Sequence, residues 1–254
     1  MTGIAYKPSG ADFDINAGDS WLADREGLIL ENRFGGSAAS LKNWADGGVD
    51  GVAEGALVFG ANDVTLQGNA APNNRRINTG VVVPAGMPGV TFCGAFTKGG
   101  AIAILESVYV SGSTYRTGFR NSSTTVALAI AEISGMPTLA WPADIGSKML
   151  WVCGHAQHKG FTILQMGLDG DRLATTLTSP GGPGDAAVSA SALTGTPTRF
   201  PIPGSGELWY AREGGGAGTA KAGFGAVLAD AKSYDWKLES YKRAFAILGS
   251  GVLR

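Results

Sequence analysis

Any chemistry in this 254-residue chain would have to reside in its carboxylates, histidines and hydroxyls. Glycoside cleavage needs two carboxyl groups flanking the scissile bond. A strand supplies them when acids fall at i and i+4, because alternate side chains share a face. The pattern Glu-x-Asp-x-Glu does not occur. Glu106 and Glu132 are solitary near strand ends, and Glu207 begins an apolar run alone. His155 and His158, the only histidines, lie three apart at a strand end and in the following turn, so they share no strand face. A serine could meet either of them, with an aspartate, only through the fold. The nucleophile-elbow spacing Gly-x-Ser-x-Gly is missed by one residue on each side at Gly204-Ser205-Gly206. No glycine-rich loop leads into a helix carrying a phosphate-binding lysine. The chain therefore predicts no catalytic set.

Binding chemistry is better represented. Sugars are held by exposed aromatic faces together with amide and carboxylate side chains on loops. Trp44, Asn73, Asn74, Trp141, Trp209 and Tyr210 are the candidates, and Trp141 precedes Pro142 in a segment that looks exposed. Each aromatic has a competing reading as core, and each asparagine as a turn residue. Cys93 and Cys153 both sit within apolar runs, with no metal-type Cys/His spacing. They read as buried reduced thiols or as a disulfide between adjacent strands.

The elements that must position these residues are strands. Met149 to Cys153 is apolar and β-favouring, His158-Lys159-Gly160 suits a hairpin, and Phe161 to Met166 follows as a second strand. Asp169-Gly170 is a strong hairpin signal, leading into the Thr-rich run Leu173 to Thr178. Further strands are expected at Gly27–Glu31, Thr79–Val83, Gly89–Thr97, Ala101–Leu105, Thr114–Arg120, Thr124–Ala131, Glu207–Arg212 and Ala222–Ala229, with a hairpin joining Ala56–Phe59 to Val64–Gln67. In Gly89–Thr97 the bulky groups Val90, Phe92 and Phe96 alternate with Thr91, Cys93, Ala95 and Thr97. One face should meet a core and the other a close neighbour. Residues 179 to 205 form a Pro/Gly/Ser/Thr-rich excursion. Residues 233–248 carry Leu238, Tyr241, Phe245 and Leu248 at helical spacing after a capping Ser233.

The order Trp151-Val152, Gly160, Leu164, Asp169-Gly170 resembles the laminin-G-like, concanavalin A-like jelly-roll superfamily. The resemblance departs where Val152 follows Trp151 with no residue between. Gly60-Ala61-Asn62-Asp63 and the closing Phe224 to Ala231 resemble its early turn and final core strand. The resemblance implies an antiparallel β-sandwich spanning about residues 27 to 249. It also implies loops able to hold calcium, for which Asp46, Asp50 and Asp63 are the candidates. Apart from that ion, no cofactor is expected.

The domain reading is an N-terminal arm over 1–26 and one β-sandwich over 27–254 that includes a C-terminal helix at 233–248. Charged residues make up 16% of the chain, below the roughly 25% usual for globular domains, and there are 40 glycines. That mixture fits a turn-dense β protein with much of its surface hidden in an assembly. A net charge of −1 without a basic stripe argues against nucleic acid. No signal peptide and no membrane span are expected. The leading functional expectation is a non-catalytic structural or adhesion component of an assembly, most plausibly a bacteriophage virion protein of the tail, fibre or capsid decoration. It would be located in the virion, with copies of itself, other virion proteins and a host-surface glycan as partners. The alternatives are a stand-alone carbohydrate-binding module and a glycoside hydrolase with a divergent site.

Overall fold

The computed structural model describes residues 27–68, 74–87, 89–111, 113–129, 138–143, 145–147, 149–157, 162–168, 171–178, 188–190, 204–212 and 218–229. The expected arm over 1–26 and the expected helix over 233–248 lie outside them.

The described chain folds into strands that make two sheets. In order they are β1 (Leu28–Arg33), β2 (Val52–Glu54), β3 (Val58–Phe59), β4 (Val64–Gln67), β5 (Arg76–Val83) and β6 (Gly89–Thr97). There follow β7 (Ile102–Ser111), β8 (Ser113–Asn121), β9 (Thr125–Ala129), β10 (Thr138–Ala140) and β11 (Met149–Gln157). The last are β12 (Thr162–Leu168), β13 (Asp171–Thr178), β14 (Val188–Ala190), β15 (Gly206–Tyr210) and β16 (Thr219–Leu228). One sheet runs β14-β13-β12-β11-β6-β16-β4-β3, and β1 pairs β16 beside this path. The other runs β10-β9-β8-β7-β15-β5-β2. All pairings are antiparallel except β13 with β14. The all-β sandwich expected from the strand pattern is the observed architecture.

Between the sheets lies one apolar cluster that includes Leu30, Leu66, Ile77, Phe92, Phe96, Leu105, Phe119, Leu128, Val152, Leu208, Tyr210 and Val227. Phe92 and Phe96 from the first sheet each meet Phe119 of the second edge-on, at 6.0 and 5.7 Å. These are favourable quadrupole geometries. All nine residues of β6 are buried, so its small-residue face is covered as well as its bulky one. That explains why the strand alternates large with small groups rather than apolar with polar.

β16 organises the first sheet. Along one side it pairs β6. Along the other it pairs β4 through Thr219–Ala222, then β1 through Phe224–Leu228. Gly225 in this strand faces Tyr210 of the opposing sheet, and a Cβ there would run into the phenol ring and hydroxyl. Gly225→Ala should therefore displace Tyr210 and lower stability by about 1–3 kcal/mol, the usual cost of overpacking a filled core. Chemical denaturation of the two proteins side by side measures it.

Candidate functional site

The segment between β1 and β2 carries the candidates nearest the surface. Ser37 caps a short 3-10 turn, Ala38–Leu41, by accepting a hydrogen bond from the Ala39 amide. Leu41 drops into the core. From there two buried asparagines tie the chain back to β1. Asn32 donates through Nδ2 to the carbonyls of Leu41 and Lys42, at 3.3 and 2.9 Å. Asn43 accepts at Oδ1 from the amides of Glu31 and Ala45, each at 3.0 Å, and donates to the Ile29 carbonyl at 3.2 Å. The Trp44 amide donates to the Glu31 carbonyl at 2.8 Å. Buried polar groups this well satisfied fix a loop in one conformation.

That frame presents Trp44 half-buried, with two cations against its ring. The Arg33 guanidinium carbon lies 4.6 Å from the ring centroid, and Lys42 Nζ lies 4.1 Å from it. Arg33 is also bound to Glu31, whose Oε1 accepts from Nε at 2.9 Å and from Nη2 at 2.8 Å. Lys42 is exposed, and among the described residues no carboxylate pairs with it. The result is a half-buried indole with two cations over its ring, on a braced loop.

The other aromatic candidates are placed differently. Trp141 is buried rather than exposed. Its indole donates to Asn121 Oδ1 at 2.8 Å and its amide to the Thr124 carbonyl. The proline that suggested exposure follows a strand end that closes over the core. Trp209 is buried beneath Arg212, 5.0 Å from its ring, and donates to Glu207 Oε2 at 3.0 Å. Tyr210 is a core residue, 0% exposed, with its ring edge-on to Phe34 at 5.0 Å. Its hydroxyl donates to Asn32 Oδ1 at 3.2 Å, and burial raises its pKa well above the usual phenol value. None of these three offers a ring face to a ligand. Asn74 is half-buried beside Gly55, and Asn73 lies outside the described residues.

The three aspartates do separate work. Asp50 accepts from the Asn43 amide at 3.0 Å, which braces the Trp44 loop. Asp63 turns the β3–β4 hairpin, accepting the Gly60 amide at its backbone carbonyl, and its side chain meets Lys221 at 3.2 Å. Asp46 is exposed. Among the described residues no three acidic, histidine or cysteine side chains gather as a metal site. Calcium asks for six to eight oxygen ligands, so the described part of the chain does not fit it.

The acids of the hydrolase alternative do not pair along one strand. Glu106 is buried, opposite Trp209 in the β7–β15 register. Glu207 meets Arg212 at 3.5 Å with its side chain over half exposed. Glu132 and His158 lie outside the described residues, and His155 is at a backbone position opposite Thr91 and Ile163. The residues that sequence reading missed are Asn32, Asn43, Arg33 and Lys42. The signal available was an Asn-Trp pair between a strand and Asp46-Gly47-Gly48, with Arg33 two residues after Glu31.

No protein-family model matches the chain, and no curated protein matches it. Solved structures do. The binding domain of botulinum neurotoxin DC in complex with rat synaptotagmin II is similar at 11% identity, with a TM-score of 0.53, over 90% of this chain and 52% of that one. A botulinum neurotoxin type C structure, described as showing that cell entry depends on interaction with two ganglioside molecules, is similar at 10% identity and a TM-score of 0.55, with the same coverage. The serotype C1 binding domain stands at 10% and 0.54, again over 90% and 52%. The chain thus spans about half the length of the structures it matches. At these identities the likeness shows the β-sandwich fold.

The placement of Tyr210 carries a pH dependence. A phenol whose folded-state pKa is raised favours its neutral, folded form. The stability this provides is fully present below the unfolded value of about 10 and is lost as pH rises through the folded value. Wild-type protein should therefore lose stability above about pH 10, while Tyr210→Phe loses less over the same interval. Denaturation midpoints at neutral and alkaline pH, compared for the two proteins, report the difference.

Proposed function

We propose that this chain is a non-catalytic recognition module whose surface at Trp44 binds a carbohydrate, with preference for one bearing a carboxylate or other anionic group. The observation that carries the reading is the held loop: an indole beside Arg33 and Lys42, fixed by Asn32 and Asn43. An aromatic face gives apolar area to a sugar ring, and the cations supply charge-assisted bonds to an acidic substituent. The preformed loop lowers the ordering cost of binding. The matched structures support it: among them are a botulinum neurotoxin binding domain in complex with "SialylT" and a type C structure whose description concerns two ganglioside molecules. Trp44→Ala should abolish sugar binding, and Lys42→Glu should weaken binding of acidic sugars at least tenfold while sparing neutral ones. A glycan array followed by titration calorimetry checks both. A folded wild-type protein without array hits removes the reading.

A specific surface favours a second role in the same molecule, contact with other subunits of an assembly. Three exposed valines gather around Gly80 on β5: Val49 (59% exposed) lies over it, Val52 (64%) is in register with Asn78, and Val82 (49%) lies two residues on. β2, which carries Val52, is the outermost strand of its sheet. Apolar groups beside an open strand edge invite a second chain. The finer reading is a bacteriophage virion component of the tail, fibre or decoration, joined to further copies and other virion proteins and touching host glycan. Its support is the low charge and high glycine content together with this edge. Val52→Glu should shift an oligomer toward monomer in light scattering. A wild-type protein that stays monomeric at high concentration defeats the assembly role.

A further inference from the structure

Cys93 and Cys153 are the chain's two cysteines, and the fold sets them opposite one another. Each is the middle residue of a nine-residue strand, β6 and β11. Those strands pair antiparallel without a register shift from Met149↔Thr97 to Gln157↔Gly89, so Cys153↔Cys93 stands at the centre of an unbroken ladder. Residues directly opposite in such a ladder share a face, with Cα atoms about 4.5–5.5 Å apart. Disulfides span Cα separations of about 4.4–6.8 Å. A slip of one residue would put the two positions on opposite faces, and the flanking pairs Val152↔Gly94 and Gly154↔Phe92 hold against it. Cys93 is 4% exposed, on the small-residue face of β6, and its other neighbour in register is the buried Ala226.

We propose that Cys93 and Cys153 form a cross-strand disulfide when the protein meets a small-molecule disulfide. The thiolate of one cysteine attacks a sulfur of the oxidant, breaking its S–S bond and releasing one small thiolate. The second cysteine's thiolate attacks the protein sulfur of that mixed disulfide and releases the other. Two protein thiols are oxidised, one oxidant disulfide is reduced to two thiols, and the two protons pass to the departing thiolates. Burial confines the exchange to folding or to local opening of the sheet. The segment between the cysteines carries β7 to β10, four strands of the second sheet. The crosslink therefore ties the strand from which the chain leaves the first sheet to the strand on which it returns. Closing so long a loop restrains the unfolded chain strongly.

The test uses the full chain, incubated or refolded with glutathione disulfide or with excess reductant, then denatured and alkylated with iodoacetamide. The oxidised sample should take up no label, weigh two hydrogens less than the reduced chain, and run as a monomer on a non-reducing gel. Its Tm should exceed that of the reduced protein by roughly 5 °C or more. Cys93→Ala and Cys153→Ala should each leave one alkylatable thiol and remove the response of Tm to oxidant. Two alkylated cysteines in the oxidised, folded protein overturn the proposal, as does a crosslinked dimer as the sole disulfide product. Neither result bears on sugar binding at Trp44.

Discussion

One buried hydrogen bond connects the two sheets to the surface. Tyr210 stands in β15 of the second sheet, and its hydroxyl reaches across the core to Asn32 in β1 of the first. The same asparagine side chain turns its amide hydrogens to the carbonyls of Leu41 and Lys42, where the chain leaves the 3-10 turn. Three demands meet there. The phenol needs an acceptor because it is fully buried, Asn32 needs acceptors for its own donors, and the loop carbonyls need donors because the loop lies against the core. Each demand is met by another. Gly225 admits the phenol to this position, since a Cβ at position 225 would occupy its place.

The consequences run outward from that contact. With Leu41 in the core and the following carbonyls bound, Asn43 falls where it can bridge Ile29, Glu31 and Ala45. Asp50 closes the segment from its far side through the Asn43 amide. Trp44 then lies beside Arg33, its amide bonded to the Glu31 carbonyl of β1. Arg33 is itself held by the buried Glu31. The placing of an aromatic ring between cations is thus the end of a chain of polar contacts that starts in the middle of the sandwich. It does not depend on surface electrostatics alone, which at exposed sites is weak.

How far the sequence displayed this follows from what each signal measures. Strand positions were legible because alternation and β-branched runs reflect a face-by-face burial that the sandwich imposes: β6 and the β3–β4 hairpin fall where their patterns place them. Burial of particular aromatics was not legible. Trp141, Trp209 and Tyr210 look alike as letters, yet Asn121 and Asn32 supply the partners of Trp141 and Tyr210 from distant positions, while Glu207 and Arg212 supply those of Trp209 from its own neighbourhood. A Tyr next to a Trp on one strand must put one ring inward and one outward, and nothing local says which. The bulge where Glu207 and Trp209 face Val82 and Asn78 resets even that alternation against β5. Asp50 and Asp63 likewise carried a ligand-like signal that their amide and lysine partners absorb.

The same logic separates what the sandwich needs from what it leaves available. Aromatic groups with a hydrogen-bond partner deep in the fold are committed, because removing either member would strand a buried polar atom. Trp44 differs: it is half-buried, and Arg33 and Lys42 lie over its ring. The bonds of Asn32, Asn43 and Asp50 that brace its loop run to backbone groups rather than to the side chain at position 44. Lys42 is exposed and sets its charge against the indole. Under the proposed reading, an anion-bearing sugar would meet this exposed charge beside the indole.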